Sequence, residues 1–240
     1  MANFITSVFG LITKMSYEPV SSFFNAPEKY LHRRYGIKIR QELCKKVLGN
    51  LEDKIILDAG CGDGSIGVEF LDKNKVVFCD VAEQMLKLTK NRIPRERRSS
   101  AVFFHGSVEE FNQESSFDFI LCLGLLAHVT SLEKTVEGIS KLLKPGGKVI
   151  FQFSDYSHWL TRCYVRLARH GYTINRIYYG DLLDLCIRHN LKLRQEIRYH
   201  FLLPGMGRLP DDLLYRFQKW VMRKSYLSFL CTDYLWVLQK

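Results

Sequence analysis

"ILDAGCGDGSIGVEF" occupies residues 56–70 and sets four glycines, at 60, 62, 64 and 67, directly behind an apolar run. A short apolar run bounded by turn residues reads as a buried strand. Glycine lacks a Cβ, so it lets the backbone turn sharply and come close to a ligand. The spacing departs from the dinucleotide fingerprint, which needs its third glycine where this chain has Ser65. Asp58 and Asp63 bracket the turn; paired acids repel a pyrophosphate and favour a ligand that carries an amino group. Spacing and charge together point away from a phosphate cradle.

Working outward, strand and helix patterns alternate. "KIILDA" (54–59), "KVVFCD" (75–80), "AVFFHG" (101–106), "FDFILCLG" (117–124) and "GKVIFQFS" (147–154) have the β-branched and aromatic content of buried parallel strands. "SIGVEFLDK", "AEQMLKLTKNRI" and "SLEKTVEGISKLLK" between them read as helices. The last opens on Thr130 with Glu133 three residues on, a capping box, and stops at Pro145-Gly146-Gly147. Such alternation predicts an α/β fold, a three-layer, doubly wound and mostly parallel sheet with helices on both faces.

Upstream, residues 28–48 place Leu31, Tyr35, Ile39, Leu43 and Val47 at every fourth position, a helix. Downstream, "GDLLDLCIRHN" is helical, and "LKLRQEIRYHFLL" and "SYLSFLCTDYLWVLQK" each suggest a strand. The predicted organisation is an N-terminal helical lid over 1–50 and a single domain over 51–240, with substrate-side additions around 156–180 and 201–225.

The 240 residues, 47% hydrophobic, suffice for one large core. No window approaches the roughly 18 apolar residues of a membrane-spanning helix, and "MANFITSVFGLITKMSY" has neither a basic leader nor a small-residue cleavage site. Seven cysteines without a CxxC pair fit a reducing, cytoplasmic compartment. Histidines and cysteines lack ligand spacing, so no metal is expected. The net charge of +10 lies in the flanks: residues 1–50 hold eight Lys/Arg against three Asp/Glu, residues 51–154 thirteen against fifteen, and residues 155–240 fourteen against seven. Basic flanks suit an anionic small substrate, an acidic carrier protein, a membrane surface or nucleic acid, or are simply solvated faces.

In an open α/β sheet the ligand sits beyond the carboxyl ends of the strands. Asp80 ends the second strand, twenty residues after Gly60, where a carboxylate reaches the hydroxyls of an adenosine ribose. With these elements in place, "ILDAGCGDG", "CDVAEQML", "FFHGSVEEF", "FDFILCLGLLAHVTS" and "KLLKPGGKVIF" resemble, in order and spacing, the class I S-adenosylmethionine-dependent methyltransferases. The likeness is to the small-molecule branch of ubiquinone- and biotin-pathway enzymes, and covers about residues 54–154. It implies a seven-stranded sheet closing on an antiparallel C-terminal hairpin, with S-adenosylmethionine as cofactor. It assigns Asp58, Gly60, Cys61 and Gly62 to the methionine end, Asp80 to the ribose, Val81 and Met85 to the adenine, and Ser107 and Val108 to the adenine amino edge. Ser107 stands where the family commonly has an acid. Leu123 and Gly124 would close the site. "LHRRYGIKIR" resembles the segment before the first strand in ubiquinone-pathway O-methyltransferases and nominates Arg40 for the cofactor carboxylate.

Methyl transfer is a displacement that needs positioning, and a base where the acceptor must lose a proton. His128, in "GLLAHVT" after the fourth strand, is the candidate catalytic residue, and a locally packed histidine is the competing reading. His105 reads as structural. Tyr17, Tyr30, Tyr156, His158, Trp159, Tyr178 and Tyr179, with Phe23 and Phe24, are candidates to enclose an aromatic or apolar small-molecule substrate with a polar or acidic group. Phe4, Ile5, Val8, Phe9, Ile12 and Met15 share one helical face, suited to a lid, a dimer contact or a membrane surface. The expected reaction is methylation of oxygen or nitrogen. The alternatives are an RNA or protein methyltransferase, a carrier-bound substrate, or a non-catalytic cofactor-binding protein. A proline-rich base-flipping motif is missing after the fourth strand, so no stable nucleic-acid partner is expected.

Overall fold

The computed structural model describes Ser22, Phe24, Asn25, Met206 and residues 35–111, 114–167, 174–200 and 209–240, without the side chains of Tyr164 and Ser225. The predicted substrate residues Tyr17 and Tyr30, and most of the predicted N-terminal lid, lie outside this set.

Helix α1 (Tyr35–Leu48) leads into β1 (Ile55–Ala59), β2 (Lys75–Asp80), α2 (Glu83–Arg92), β3 (Ala101–His105), β4 (Phe117–Leu123), α3 (Leu132–Leu142) and β5 (Leu143–Ser154). There follow α4 (Trp159–Leu167), α5 (Tyr179–Arg188), β6 (Lys192–Tyr199), α6 (Asp211–Met222) and β7 (Asp233–Gln239). One seven-stranded sheet runs β3-β2-β1-β4-β5-β7-β6. Strands β1 to β5 are parallel, and β7 runs antiparallel to both β5 and β6. The expected Rossmann-like sheet with its C-terminal hairpin is present.

Side chains alternate across the pleat, and that alternation sorts the chain into two cores. Leu57, Ile120, Cys122, Val149, Phe151 and Trp236 face one way and pack on Val136 and Ile139 of α3 and on Leu182 and Leu185 of α5. Ile56, Phe78, Leu121, Ile150 and Leu235 face the other way, against Ile39 and Leu43 of α1, Leu86 of α2 and Leu214 of α6. Strand order reverses between β1 and β4, so the loops after these two strands diverge and leave a crevice at their carboxyl ends.

Local reading was wrong at four places, the first being "SYLSFL" at the head of the expected last strand, which forms a 3-10 turn, Ser225–Leu230, before β7. "SIGVEFLDK" forms only one 3-10 turn, Gly67–Phe70. The Gly67 amide is committed to the Asp58 carboxylate, and the Phe70 carbonyl that a longer helix would offer to the amide of residue 74 is taken by the Asn74 side chain. Helix α3 is capped by Ser131, whose hydroxyl accepts from the Lys134 amide at 3.3 Å, one residue after the expected Thr130. Glu133 instead pairs with Arg188 and His189 of α5. Strand β5 begins at Leu143, through the expected stop; Gly146, at φ +77°, and a register shift opposite Phe117–Phe119 absorb the Pro-Gly-Gly.

Candidate functional site

The glycine turn begins where β1 ends, and its amides point inward. Gly60 and Cys61 donate to the Cys79 carbonyl at 2.8 and 3.0 Å, Gly64 donates to the Cys61 carbonyl at 3.0 Å, and Gly62 donates to Asp80 Oδ2 at 2.8 Å. These four donors are therefore committed within the protein, whereas a phosphate cradle requires them aimed at the ligand. Gly60 stands at φ +67°, and a Cβ there would lie 2.9 Å from Leu125 Cδ1 of the facing β4 loop. Glycine at 60 is thus demanded by both the turn and the close approach of the two loops.

Two clefts flank this turn and share Gly60, Gly62 and Leu123 as their common wall. The first is lined by Cys79, Asp80, Val81, Gly106, Ser107, Val108, Glu109, Gly124, Leu125, His128 and Val129, with Phe24 from the N-terminal segment. The second is lined by Arg40, Asp58, Cys61, Asp63 and Ser65 with Ile37 and Ile66. Together they run along the carboxyl edge from β3 to α1, across the point where strand order reverses.

Acids set the electrostatics. Asp80 accepts the Gly62 amide on one oxygen and the Ala82 amide, at 2.9 Å, on the other, and burial raises its carboxyl above the ordinary range. A carboxylate offers about four acceptor positions, and with the Val81 amide also bonded to it Asp80 keeps room for a ligand hydroxyl. Asp58 is buried, accepts the Gly67 amide at 3.1 Å and is pushed up to about 7 by that burial; the Gly67 bond opposes the shift, and Asp80 and Asp63 add to it. Asp63 is spent differently from expectation. Its carboxylate is paired with Arg92 and accepts the Ser65 hydroxyl at 2.5 Å, so the acidity presented at this turn comes from Asp58 and Asp80.

Most sequence-predicted residues meet at these clefts. Met85 does not: it lies on the buried face of α2, fully buried, and lines neither cleft. Ser107 lines the first cleft and donates to Glu110 Oε1 at 3.2 Å. Arg40 lies across the second cleft, its Nη1 3.6 Å from where a Gly124 Cβ would stand. His128 ends a 3-10 turn, Leu126–His128, and meets Phe24 edge-on at 5.3 Å between ring centroids. His105 bonds the Val81 carbonyl at 3.2 Å, a local role.

The described members of the predicted aromatic enclosure gather around Asp155, outside the two clefts. Tyr156, His158, Trp159, Tyr178 and Tyr179 line neither cleft. His158 Nδ1 accepts the Leu160 amide at 3.2 Å, so Nε2 donates to the Phe229 carbonyl at 2.7 Å, and both ring nitrogens serve the fold. Tyr179 donates to Glu196 at 2.8 Å and packs on Trp236 of the hairpin. Tyr156 and Tyr178 meet edge-on at 5.7 Å, and Trp159 is 55% exposed.

Sequence reasoning missed the residues that hold the loops. Thr89 donates to the Gly62 carbonyl at 2.8 Å, and Arg92 Nε donates to the Asp63 carbonyl at 2.9 Å, so α2 grips the glycine turn. Asn175 stitches its segment to the His128 turn, donating from Nδ2 to the Leu126 and Val129 carbonyls at 3.2 and 2.6 Å. Helical spacing from Met85 to Thr89 and on to Arg92 was available as a signal for the first pair; nothing local marks Asn175.

Residues 57–149 match the family model described as a methyltransferase domain. The ubiquinone biosynthesis O-methyltransferase of Idiomarina loihiensis is 33% identical over 100 residues, 41% of this chain and 41% of that protein. The same-named protein of Alkalilimnicola ehrlichii is 31% identical over 116 residues, 47% of each. The chain thus spans under half the length of these curated relatives. The magnesium protoporphyrin IX methyltransferase of Synechocystis, solved with bound SAH, shares the fold with a TM-score of 0.64 at 14% identity, over 93% of this chain and 99% of that one.

Proposed function

We propose that this chain, whose residues 57–149 match a methyltransferase-domain model, is a class I S-adenosylmethionine-dependent methyltransferase that transfers a methyl group from S-adenosylmethionine to an oxygen or nitrogen of a small molecule. The observation that carries this reading is the pair of clefts sharing Gly60, Gly62 and Leu123, with Asp80 at one end and Asp58 and Arg40 at the other. The donor set fits an adenosyl amino acid. Asp80 accepts ribose hydroxyls, Val81 and Val108 flank the adenine, and Ser107 meets its edge. Asp58 takes the amino group, Arg40 the carboxylate, and Gly60, Cys61 and Gly62 let the methionine end approach.

The bound cofactor supplies an electrophilic methyl group on a sulfonium. The chain supplies position and electrostatics: converging loops fix the attack line, and acids at fixed points favour the positive donor. His128, in the first cleft beside Leu123 and Gly124, orients the acceptor. Phe24 lines the same cleft, and the Asn25 side chain accepts from the Gln84 amide at 3.1 Å, which supports a role for these two residues in closing the cofactor site. All seven cysteines are free, and no helix among the described residues is long and apolar enough to cross a membrane, in keeping with a cytoplasmic enzyme.

Calorimetry with S-adenosylmethionine and S-adenosylhomocysteine should show one site per chain. Incubation with methyl-labelled S-adenosylmethionine and fractionated cell extract should place label in small metabolites. Label confined to RNA or protein overturns the small-molecule reading, and no binding of either ligand overturns the whole proposal.

A further inference from the structure

Helix α6 carries more apolar surface than its packing uses. Its buried residues are Leu214, Gln218 and Val221, and the residue before each, Leu213, Phe217 and Trp220, is apolar and exposed, Phe217 least at 39%. One residue is about 100° of helical turn, so these three form a second row beside the buried one. Phe217 and Trp220 stack with ring centroids 5.9 Å apart. Val221 clusters with Cys231 and with Leu227 and Leu230 of the 3-10 turn Ser225–Leu230, so that turn lies alongside α6. Residues three apart eclipse in such a turn: Leu227 and Leu230 form its packed row, and Tyr226 and Phe229, 67% and 60% exposed, its outer row. The Phe229 carbonyl accepts from His158, whose ring stacks on exposed Trp159 at the start of α4. An exposed apolar surface of this extent, rimmed by polar residues, marks an interaction site.

Charge selects the occupant. Arg216, Arg223 and Lys224 border the α6 row, and Arg162 and Arg166 share a face of α4 with Trp159 by helical spacing. All five are exposed, and none is in an ion pair among the described residues. The acids of α6, Asp211 and Asp212, stand in its first turn, at the end away from Trp220. Aromatic rings beside long basic side chains, whose stems lie on apolar surface while their heads stay in water, suit the surface of a bilayer that carries negative charge. A second copy of the chain fits worse: in a two-fold contact the patch meets itself and sets Arg216, Arg223 and Lys224 against their own equivalents. Trp159 follows the end of β5 and Phe229 precedes the start of β7, where Ser154 pairs with Asp233, so the face borders the carboxyl edge on which the cofactor clefts open.

We propose that α6, the 3-10 turn Ser225–Leu230 and the start of α4 form a docking face for a membrane surface rich in anionic lipid. The aromatic side chains enter the headgroup layer, and the arginines and the lysine meet lipid phosphates. The contact is peripheral, spans nothing and stands independently of methyl transfer.

The test is flotation of the full chain with vesicles of phosphatidylcholine alone or mixed with phosphatidylglycerol. The wild type should bind the mixed vesicles about tenfold more tightly than the neutral ones, and that preference should shrink as salt is raised. Arg216→Glu combined with Arg223→Glu, and separately Phe217→Ser combined with Trp220→Ser, should each weaken binding to the mixed vesicles by about tenfold. Tryptophan emission should shift to the blue on mixed vesicles, and shift less in Trp220→Phe, because the indole at 220 enters lipid. Should a double variant fail to fold, the wild-type comparison of the two vesicles and the single Trp220→Phe decide the matter. Equal binding to both vesicles, no binding to either, or double variants that bind as the wild type does overturns the proposal. So does a dimer in sedimentation that Phe217→Ser combined with Trp220→Ser disperses, since it gives the face to a second copy. None of these outcomes bears on methyl transfer, whose own test is binding and turnover of S-adenosylmethionine.

Discussion

The carboxyl edge of the sheet has two halves built on different rules. Over β1 and β2 the site is mostly backbone: turn amides, carbonyls and two acids, drawn from residues 58–64 and 80–82. Over β5, β6 and β7 the polar groups are side chains from residues 35, 152, 200 and 233, and the His200–Tyr35 contact alone joins positions 165 apart in sequence. The first half is local and close to sequence-determined. The second exists only once the hairpin has paired and α1 has docked. Turn chemistry therefore follows from adjacent residues, whereas the side-chain line needs long-range pairing.

The largest effect that would sharpen this contrast is expected from Asp80→Ala. It strips the acceptor from two buried amides, Gly62 and Ala82, each worth about 1–3 kcal/mol when left unpaired. S-adenosylhomocysteine affinity should fall on the order of 100-fold by calorimetry. An affinity unchanged in Asp80→Ala would dissolve the distinction between the halves.

Next comes the turn itself. Gly60→Ala places a methyl group against Leu125 in a left-handed backbone, whereas at Gly62, φ +55°, nothing lies within 4 Å of an added Cβ. Overpacking adds about 1–3 kcal/mol at residue 60 beyond the backbone strain of about 1–2 kcal/mol that both share. Denaturant midpoints should therefore rank Gly60→Ala well below Gly62→Ala; equal midpoints would mean that the two loops do not depend on close approach.

The smallest effect is a pH dependence. Asp58, at about 7, is largely protonated in the free protein below neutrality, so a ligand ammonium that prefers the carboxylate must release that proton. Affinity for S-adenosylhomocysteine should rise as pH is raised from 6 to 8, by no more than about tenfold per unit, and the rise should vanish in Asp58→Asn. The sign for folding is opposite. A carboxyl raised in the folded state holds its proton longer than in the unfolded chain, so its contribution to stability is lost as pH climbs from about 4 toward 7.

The glycine register, the terminal Asp80 and the alternating strands made the sheet and the cofactor half legible, because each depends on residues near one another in the chain. Capping was misread by one residue, since Thr130 and Ser131 are equally good caps locally and only the Glu133 pairing with α5 separates them. The aromatic residues after β5 read as a substrate wall by composition; that Tyr179 bonds Glu196 of the hairpin and His158 the Phe229 carbonyl is visible only in the assembled structure.

By itself, the sequence determined the hydrophobic periods, the turn that only glycine can make, and the acids bracketing it. Tertiary structure alone decided that Arg92 would quench Asp63, that Met85 would sink into the core, and that Arg40 of α1 and Gln152 of β5 would meet beside Gly124. The physical reason is that backbone conformation and strand burial follow from local sterics and period, whereas hydrogen bonds between distant side chains form only after long-range pairing has fixed which strand lies beside which.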